Sequence, residues 1–394
     1  MIRKLTLCFL IMLNLSVVSS LVLAKEYKTN ECIENMTSRV SDEGLFMEQC
    51  ELRDRDISSL VDYLQKHPEI TYLNLSDNQI GYQGAELLAN TNIKYLFMSD
   101  NRISSLGAEA LAKNNSLVYL LLSVNQIGHY GAEALAKNTS LTHLILDENP
   151  IGVTGAKALA KNTSLIQLSL KNAQIGIAGA QALIANETLQ SLYIGNNSLG
   201  NDAIKPIDRN RTIKYLELDN NDIDKDGAMI IANMPNLLYL SINNNPLGDD
   251  GASNLAHNDK LEWLSLAHCD IGLKGAKALS GLDKLIILNI DANFIGDKGA
   301  IALAKMNALN NLYANNNTIG DEGAIALAQA LQLQNLSLSH NHIGDNGASA
   351  LATTTTLSTL DIGFNQISLV GIAALKSNEV FTYLNTEGNP GKGE

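Results

Sequence analysis

LTHLILDENPIGVTGAKALA, residues 141–160, is the stretch from which the fold of this chain is read. It sets Leu141, Leu144, Leu146, Asn149, Ile151, Gly152, Gly155, Ala156, Leu159 and Ala160 in the frame L-x-x-L-x-L-x-x-N-x-I-G-x-x-G-A-x-x-L-A. The frame recurs on both sides. Its Asn stands at 78, 101, 125, 149, 197, 221, 245, 293, 317, 341, 365 and 389, with Ala173 and Cys269 in the two remaining places. The first step is 23 residues and every later one is 24. So regular a period means an array whose units are too small to bury a core alone and must stack on their neighbours.

Within a unit, Leu at two-residue spacing (Leu73 and Leu75, Leu216 and Leu218) is the period of a short strand with one buried face. The Asn three residues later ends the strand, and its buried amide can bond the backbone of its own and adjacent turns as a ladder. Gly81 and its equivalents allow the following turn. G-A-x-x-L-A then reads as a short helix, opened by Gly84, with Ala85, Leu88 and Ala89 against the sheet. Asn114, Asn138 and Asn162 close their helices, a place where Asn tolerates the left-handed conformation. Asn138, Asn162 and Asn186 also form N-x-S/T sequons, which the repeat itself generates.

Strand inside and helix outside predicts an α/β solenoid, a horseshoe with a concave parallel sheet and convex helices. Fourteen units carry the full strand frame, and a degenerate one precedes them, with Leu52 and Ile57 in frame and Arg55 in the ladder position. Fifteen strands at ~4.8 Å each span roughly 65–70 Å, enough for a protein partner.

These residues resemble the leucine-rich-repeat superfamily, specifically its ribonuclease-inhibitor-like class. The G-A-x-A-L-A segments (Gly131 to Ala136, Gly155 to Ala160, Gly323 to Ala328) look like GALA-type repeats of bacterial pathogen effectors and like the repeats of Nod-like receptors. The resemblance covers roughly residues 50 to 389 and implies a fold rather than a function. Catalytic relatives are a poor match. No cysteine follows Cys269 to serve a ubiquitin-ligase domain, and too few residues precede the repeats for an F-box. Ran GTPase-activating proteins share the repeat class, but an export signal would place this chain across a membrane from their substrate.

The domain reading is a signal peptide over 1–24, an N-terminal cap over 25–50 and repeats over 51–394. Arg3 and Lys4 precede an apolar run from Leu5 to Val18, and Val22-Leu23-Ala24 suits signal peptidase. A membrane anchor is the other reading of that run. Cleavage gives a secreted or periplasmic protein. The net charge is −13, from 28 Lys and Arg against 41 Asp and Glu; losing Arg3 and Lys4 makes it 26 minus 41, or −15. That sign disfavours nucleic acid and anionic lipid and favours a basic patch on a partner. In an oxidising compartment Cys32 and Cys50 read as a disulfide capping the solenoid's open end, two free thiols being the alternative. Cys269 in a ladder position reads as structural. The protein is expected to be a monomer.

No enzyme motif appears: no H-E-x-x-H, G-x-S-x-G, P-loop or C-x-x-C. We therefore expect no enzyme, no cofactor and no metal. His340 and His342 read as rim residues, and Asp77, Asp100, Asp147, Glu148, Asp219, Asp291 and Asp361 as solvated turn formers rather than cation ligands.

The residues six and four before each ladder position should point away from the core. There the sequence collects Tyr72, Tyr95, Phe97, Tyr119, His143, Tyr193, Tyr215, Tyr239, Trp263 and Tyr313, with Glu217 and Asp219 beside them. Tyr and Trp are favoured in strands, but here they cluster, and interface hot spots are rich in them. These twelve form the candidate protein-binding site, with rings expected to face solvent. A surface adhesin holding glycan or matrix through the same rings is the alternative. Finally, Asn201–Asn210 lacks Gly-Ala and places Pro206 where a helix belongs, which should shorten it; this reads either as drift of the repeat or as a second contact site.

Overall fold

A computed structural model describes residues 29–41 and 44–391; the leader expected over 1–24 lies outside them. Each unit contributes one three-residue strand to a single 16-stranded sheet whose spatial order is the sequence order. The strands are β1 (Val40–Ser41), β2 (Gly44–Phe46), β3 (Tyr72–Asn74), β4 (Tyr95–Phe97), β5 (Tyr119–Leu121), β6 (His143–Ile145), β7 (Gln167–Ser169) and β8 (Ser191–Tyr193). They continue as β9 (Tyr215–Glu217), β10 (Tyr239–Ser241), β11 (Trp263–Ser265), β12 (Ile287–Asn289), β13 (Asn311–Tyr313), β14 (Asn335–Ser337), β15 (Thr359–Asp361) and β16 (Tyr383–Asn385). From β2 onward pairing is parallel and in phase: Leu216, Leu240 and Leu264 are partners across β9, β10 and β11. The central Leu of β2 to β15 is buried, and helices such as Gly152–Leu159 cover it from the other side. This is the expected solenoid.

The first unit differs from the expected one. Gly44 pairs with Tyr72, so this unit is 28 residues long rather than 23. Leu45, Met47 and Leu52 fill its core positions, and Cys50 stands where Asn78 stands in the next. Arg55 is instead exposed in a 3-10 turn, because the helix that follows, Ile57–Lys66, is ten residues long and absorbs the extra length. The cap-to-repeat boundary placed at 50/51 therefore falls inside the first unit. What precedes it is a helix (Thr29–Glu34), a 3-10 turn and β1, which pairs antiparallel with β2. Cys32 and Cys50 form a disulfide, and both are buried.

The Asn ladder is present. The Asn101 amide donates to the carbonyls of Leu75, Met98 and Ser99, and its oxygen accepts from the Ile80 amide at 2.9 Å. Asn125 and Asn245 likewise bind their own turn and the preceding one. At Ala173 the chain does without it: Asn149 takes the Leu146 carbonyl and Asn197 takes that of Leu170. At Cys269 the thiol donates to Ile242 and Ala267 carbonyls at 3.3 and 3.4 Å.

Two local expectations are corrected. Asn114, Asn138 and Asn162 do not take the left-handed conformation. That role falls to the residue before each ladder position, such as Asp77 (φ 57), Asp100 (φ 51) and Asn220 (φ 53), and even Val124 (φ 54). The helix-closing Asn side chains build a second ladder instead. Asn138 donates to the Ala112 and Asn114 carbonyls and accepts from the Ser140 and Leu141 amides. Asn162 and Asn186 repeat this, so the sequon nitrogens are committed and buried, and a glycan there is incompatible with the ladder.

Gly84, the second correction, does not open its helix, which spans Tyr82–Leu88. It lies in the first turn, where a Cβ would sit 2.6 Å from Ile80 and 3.0 Å from Ile57, so glycine is what lets successive units approach. Asp side chains tie units together there. Asp249 accepts from the Gly272 and Gly275 amides of the next helix start, and Asp297 does so from Gly320 and Gly323. Pro206 shortens its segment as expected, to Gly200–Ala203 followed by a 3-10 turn, Lys205–Arg209.

Candidate functional site

Because the strands run in phase, residues at one position form a column with the ~4.8 Å spacing of a parallel sheet. That distance lets aromatic rings on neighbouring strands touch. On β10 and β11, Tyr239 and Trp263 stack with centroids 3.8 Å apart and planes 12° from parallel. Tyr215 on β9 joins them at 6.1 Å. Burial raises the Tyr239 phenol far above its ordinary value, and Tyr193, Glu217 and Asp219 add to the effect, so its hydroxyl stays neutral.

Glu217 lies in the same group. A Cβ on Gly195 would be 2.6 Å from its carboxylate, so that glycine makes the space the carboxylate fills. Lys171, which the sequence reading did not single out, reaches Glu217 from two strands away at 3.4 Å. Burial pushes the Glu217 carboxyl up to about 7, against the pull of Lys171. Burial would lower the Lys171 ammonium, but Glu217, Asp147 and Asp219 outweigh it and raise it.

Several acids expected to be solvated are instead wired into the sheet. Asp219 accepts from Ser241 Oγ (2.7 Å) and the Asn243 amide (2.8 Å) of the next strand. Asp147 accepts likewise from Ser169 and Lys171, and Asp291 from the Asn315 amide. Burial raises the carboxyls of Asp147 and Asp291. Asp77, Asp100 and Glu148 are turn formers with positive φ.

A second ring series runs from the N-terminal end: Phe46 to Tyr72 (5.2 Å), Tyr72 to Phe97 (4.7 Å), Phe97 to Tyr119 (5.2 Å) and Tyr119 to His143 (5.5 Å). Phe46 was missed because the first unit was read out of frame. The expectation that these rings face solvent fails for Phe97. With Leu121 and Ile145 it forms a small apolar cluster on the sheet face turned away from the helices, against which Tyr72 and Tyr119 pack. Phe97 is 7% exposed. Burial lowers the His143 imidazole from its ordinary range. Tyr95 is open to solvent, and Tyr313 stands on β13, two strands beyond Trp263; neither is in a ring pair among the described residues.

Little in the described residues suggests reaction chemistry. Burial pushes the Cys269 thiol up to about 12, which removes the thiolate a nucleophile needs. His340 stacks flat on Phe364. No group of three or more His, Cys, Asp or Glu side chains is placed to hold a metal ion among the described residues. Among them, too, no helix is long and apolar enough to cross a membrane.

Residues 67–89, 89–112, 137–160, 209–232, 233–256, 257–280, 284–304, 314–328, 333–352 and 354–376, together more than half the chain, match the Leucine Rich repeat family. No curated protein matches the sequence. Among solved structures, an internalin from Listeria monocytogenes is similar over 88% of this chain and 93% of its own, at 24% identity and a TM-score of 0.52. That likeness is one of fold. Weaker likenesses are to the PEPR1–AtPEP1 complex (18% identity, 77% and 46% coverage, TM-score 0.46) and to the plant peptide hormone receptor RGFR1 with RGF2 (18%, 88% and 70%, 0.41).

Proposed function

Because the chain belongs to the leucine-rich-repeat family, we propose that it is an exported, non-enzymatic protein that holds a protein partner against its concave sheet. Solenoids of this kind offer extended concave surfaces for binding. The observation that carries the reading is the group of Tyr215, Tyr239 and Trp263 on consecutive strands, with Glu217 and Asp219 beside them. Rings already held in place bind with little loss of side-chain freedom. The net charge of −13 suits a partner with a basic patch. The series from Tyr72 to His143 is a second, more apolar contact area, and Tyr95, on the strand between Tyr72 and Tyr119, is its solvent-exposed ring. Export is supported by the apolar leader of residues 1–24 and by the Cys32–Cys50 disulfide, a bond that persists in oxidising compartments.

The test takes a partner captured by the mature chain and purified, then measures its affinity for two multiple-alanine variants, one per ring series. Each ring buried at the interface should cost about 2 kcal/mol, roughly thirtyfold in affinity. Full affinity in both variants, with folding intact, would move the site off the concave sheet.

A further inference from the structure

An open cleft lies near the N-terminal end of the solenoid. The chain has seven arginines, and three of them, Arg53, Arg55 and Arg102, line this cleft of about 480 Å³ with Asp54, Gln79 and Gln83. The fold brings them together. Arg53 bridges Gln79 in parallel, and the Arg102 amide bonds the Ile80 carbonyl one unit back, so three successive turns present these side chains side by side.

The charge there is unbalanced. Asp54 is the one acid of the lining, and its Oδ1 is engaged by the Gly81 and Gly84 amides at 2.6 and 3.0 Å. Three guanidinium groups against that carboxylate leave the lining at +2 in a chain of net −13. Among the described residues Arg53 and Arg102 form no ion pair, and Arg55 has only a long, exposed contact to Asp56 at 3.7 Å. Like charges gathered this way repel, and a bound anion relieves that. Guanidinium presents paired N–H groups that match two oxygens of a tetrahedral oxyanion, and the Gln79 and Gln83 amides add neutral donors. The open cleft leaves room beside the arginines for a group larger than a bare inorganic ion.

We propose that this cleft binds a small organic sulfate or phosphate monoester, its oxyanion held by Arg53, Arg55 and Arg102 and its organic part lying over Gln79 and Gln83. The site is separate from the concave rings and does not depend on what they bind.

The experiment titrates the full chain, by calorimetry, with glucose 6-sulfate, glucose 6-phosphate, inorganic sulfate, inorganic phosphate and glucose. At least one ester should bind one to one and more tightly than its inorganic anion, and glucose should not bind. Arg102→Gln and Arg53→Gln should each weaken the ester at least tenfold. Arg209→Gln, an exposed arginine outside the cleft, should leave it unchanged. Affinity that climbs between pH 5 and 7.5 with the second ionisation of phosphate, near pH ~6, identifies phosphate as the group taken; a flat profile with tighter sulfate ester identifies sulfate. The proposal is overturned if no ester saturates, if inorganic anions bind as tightly as the esters, or if Arg102→Gln and Arg209→Gln behave alike. The three arginines are exposed, so an unchanged unfolding midpoint separates lost binding from lost fold.

Discussion

Tyr239 lies face to face with Trp263 on the next strand, their centroids 3.8 Å apart. The pair is at once part of the proposed binding surface and part of the folded state's own packing. Alanine at either position should therefore cost some stability, and a double-mutant cycle should give a coupling of about 0.5–1.5 kcal/mol. Chemical denaturation of the two single variants and the double variant measures it. Additive losses would mean that the rings stand independently until a partner arrives.

The Asn ladder should be energetically unequal along its length. Asn245 donates to three carbonyls and accepts from the Asn221 and Ile223 amides, all in or near the buried core. Replacing it by alanine should cost about 1–3 kcal/mol. Cys269→Ala removes two weak thiol bonds in the same row and should cost less. Unfolding midpoints of the two variants decide it, and an equal loss would contradict the ladder account.

Stability should depend on pH through Glu217. Burial raises its carboxyl from the ordinary 4.5 to about 7, so the folded chain holds this proton more tightly than the unfolded chain does. The contribution is therefore fully present below about pH 4.5 and is lost as pH rises through about 7. Glu217→Gln cannot ionise and should gain on the native chain between pH 4 and pH 8. Denaturant midpoints at pH 4, 6 and 8 follow that gain; a constant difference between the two proteins would show that Glu217 does not titrate in this range.

The Cys32–Cys50 bond closes a segment of sequence separation 18, and in the chain-entropy model its reduction should cost about 3 kcal/mol. If the leader is removed as proposed, exported material should begin near Lys25. Intact mass before and after reduction checks both statements, through the missing leader and the two hydrogens that the disulfide lacks.

The register of the repeats was legible in residues 141–160 alone, but the start of the array was not. A 23-residue step carried back from Asn78 lands on Arg55, whereas the sheet puts Cys50 in that row. The error comes from the ten-residue helix Ile57–Lys66, whose length shifts the phase without altering the pattern of apolar residues. The closing Asn residues were misread for a related reason. An Asn after a short helix suits both a left-handed turn and a side-chain ladder, and only the neighbouring unit's carbonyls, supplied by stacking, select the second.

From the Asn78 unit onward the sequence by itself determined the parallel solenoid, its strands and the column in which each concave side chain stands. A strict period leaves one way to bury every Leu, and side chains on a strand alternate. Tertiary structure alone decided which of those columns are surface and which are packing. Rings held about one strand spacing, ~4.8 Å, apart shield one another. Phe97 is thus buried on a face that the pattern marks as exposed, and Glu217 finds Lys171 across two strands only because Gly195 leaves the space.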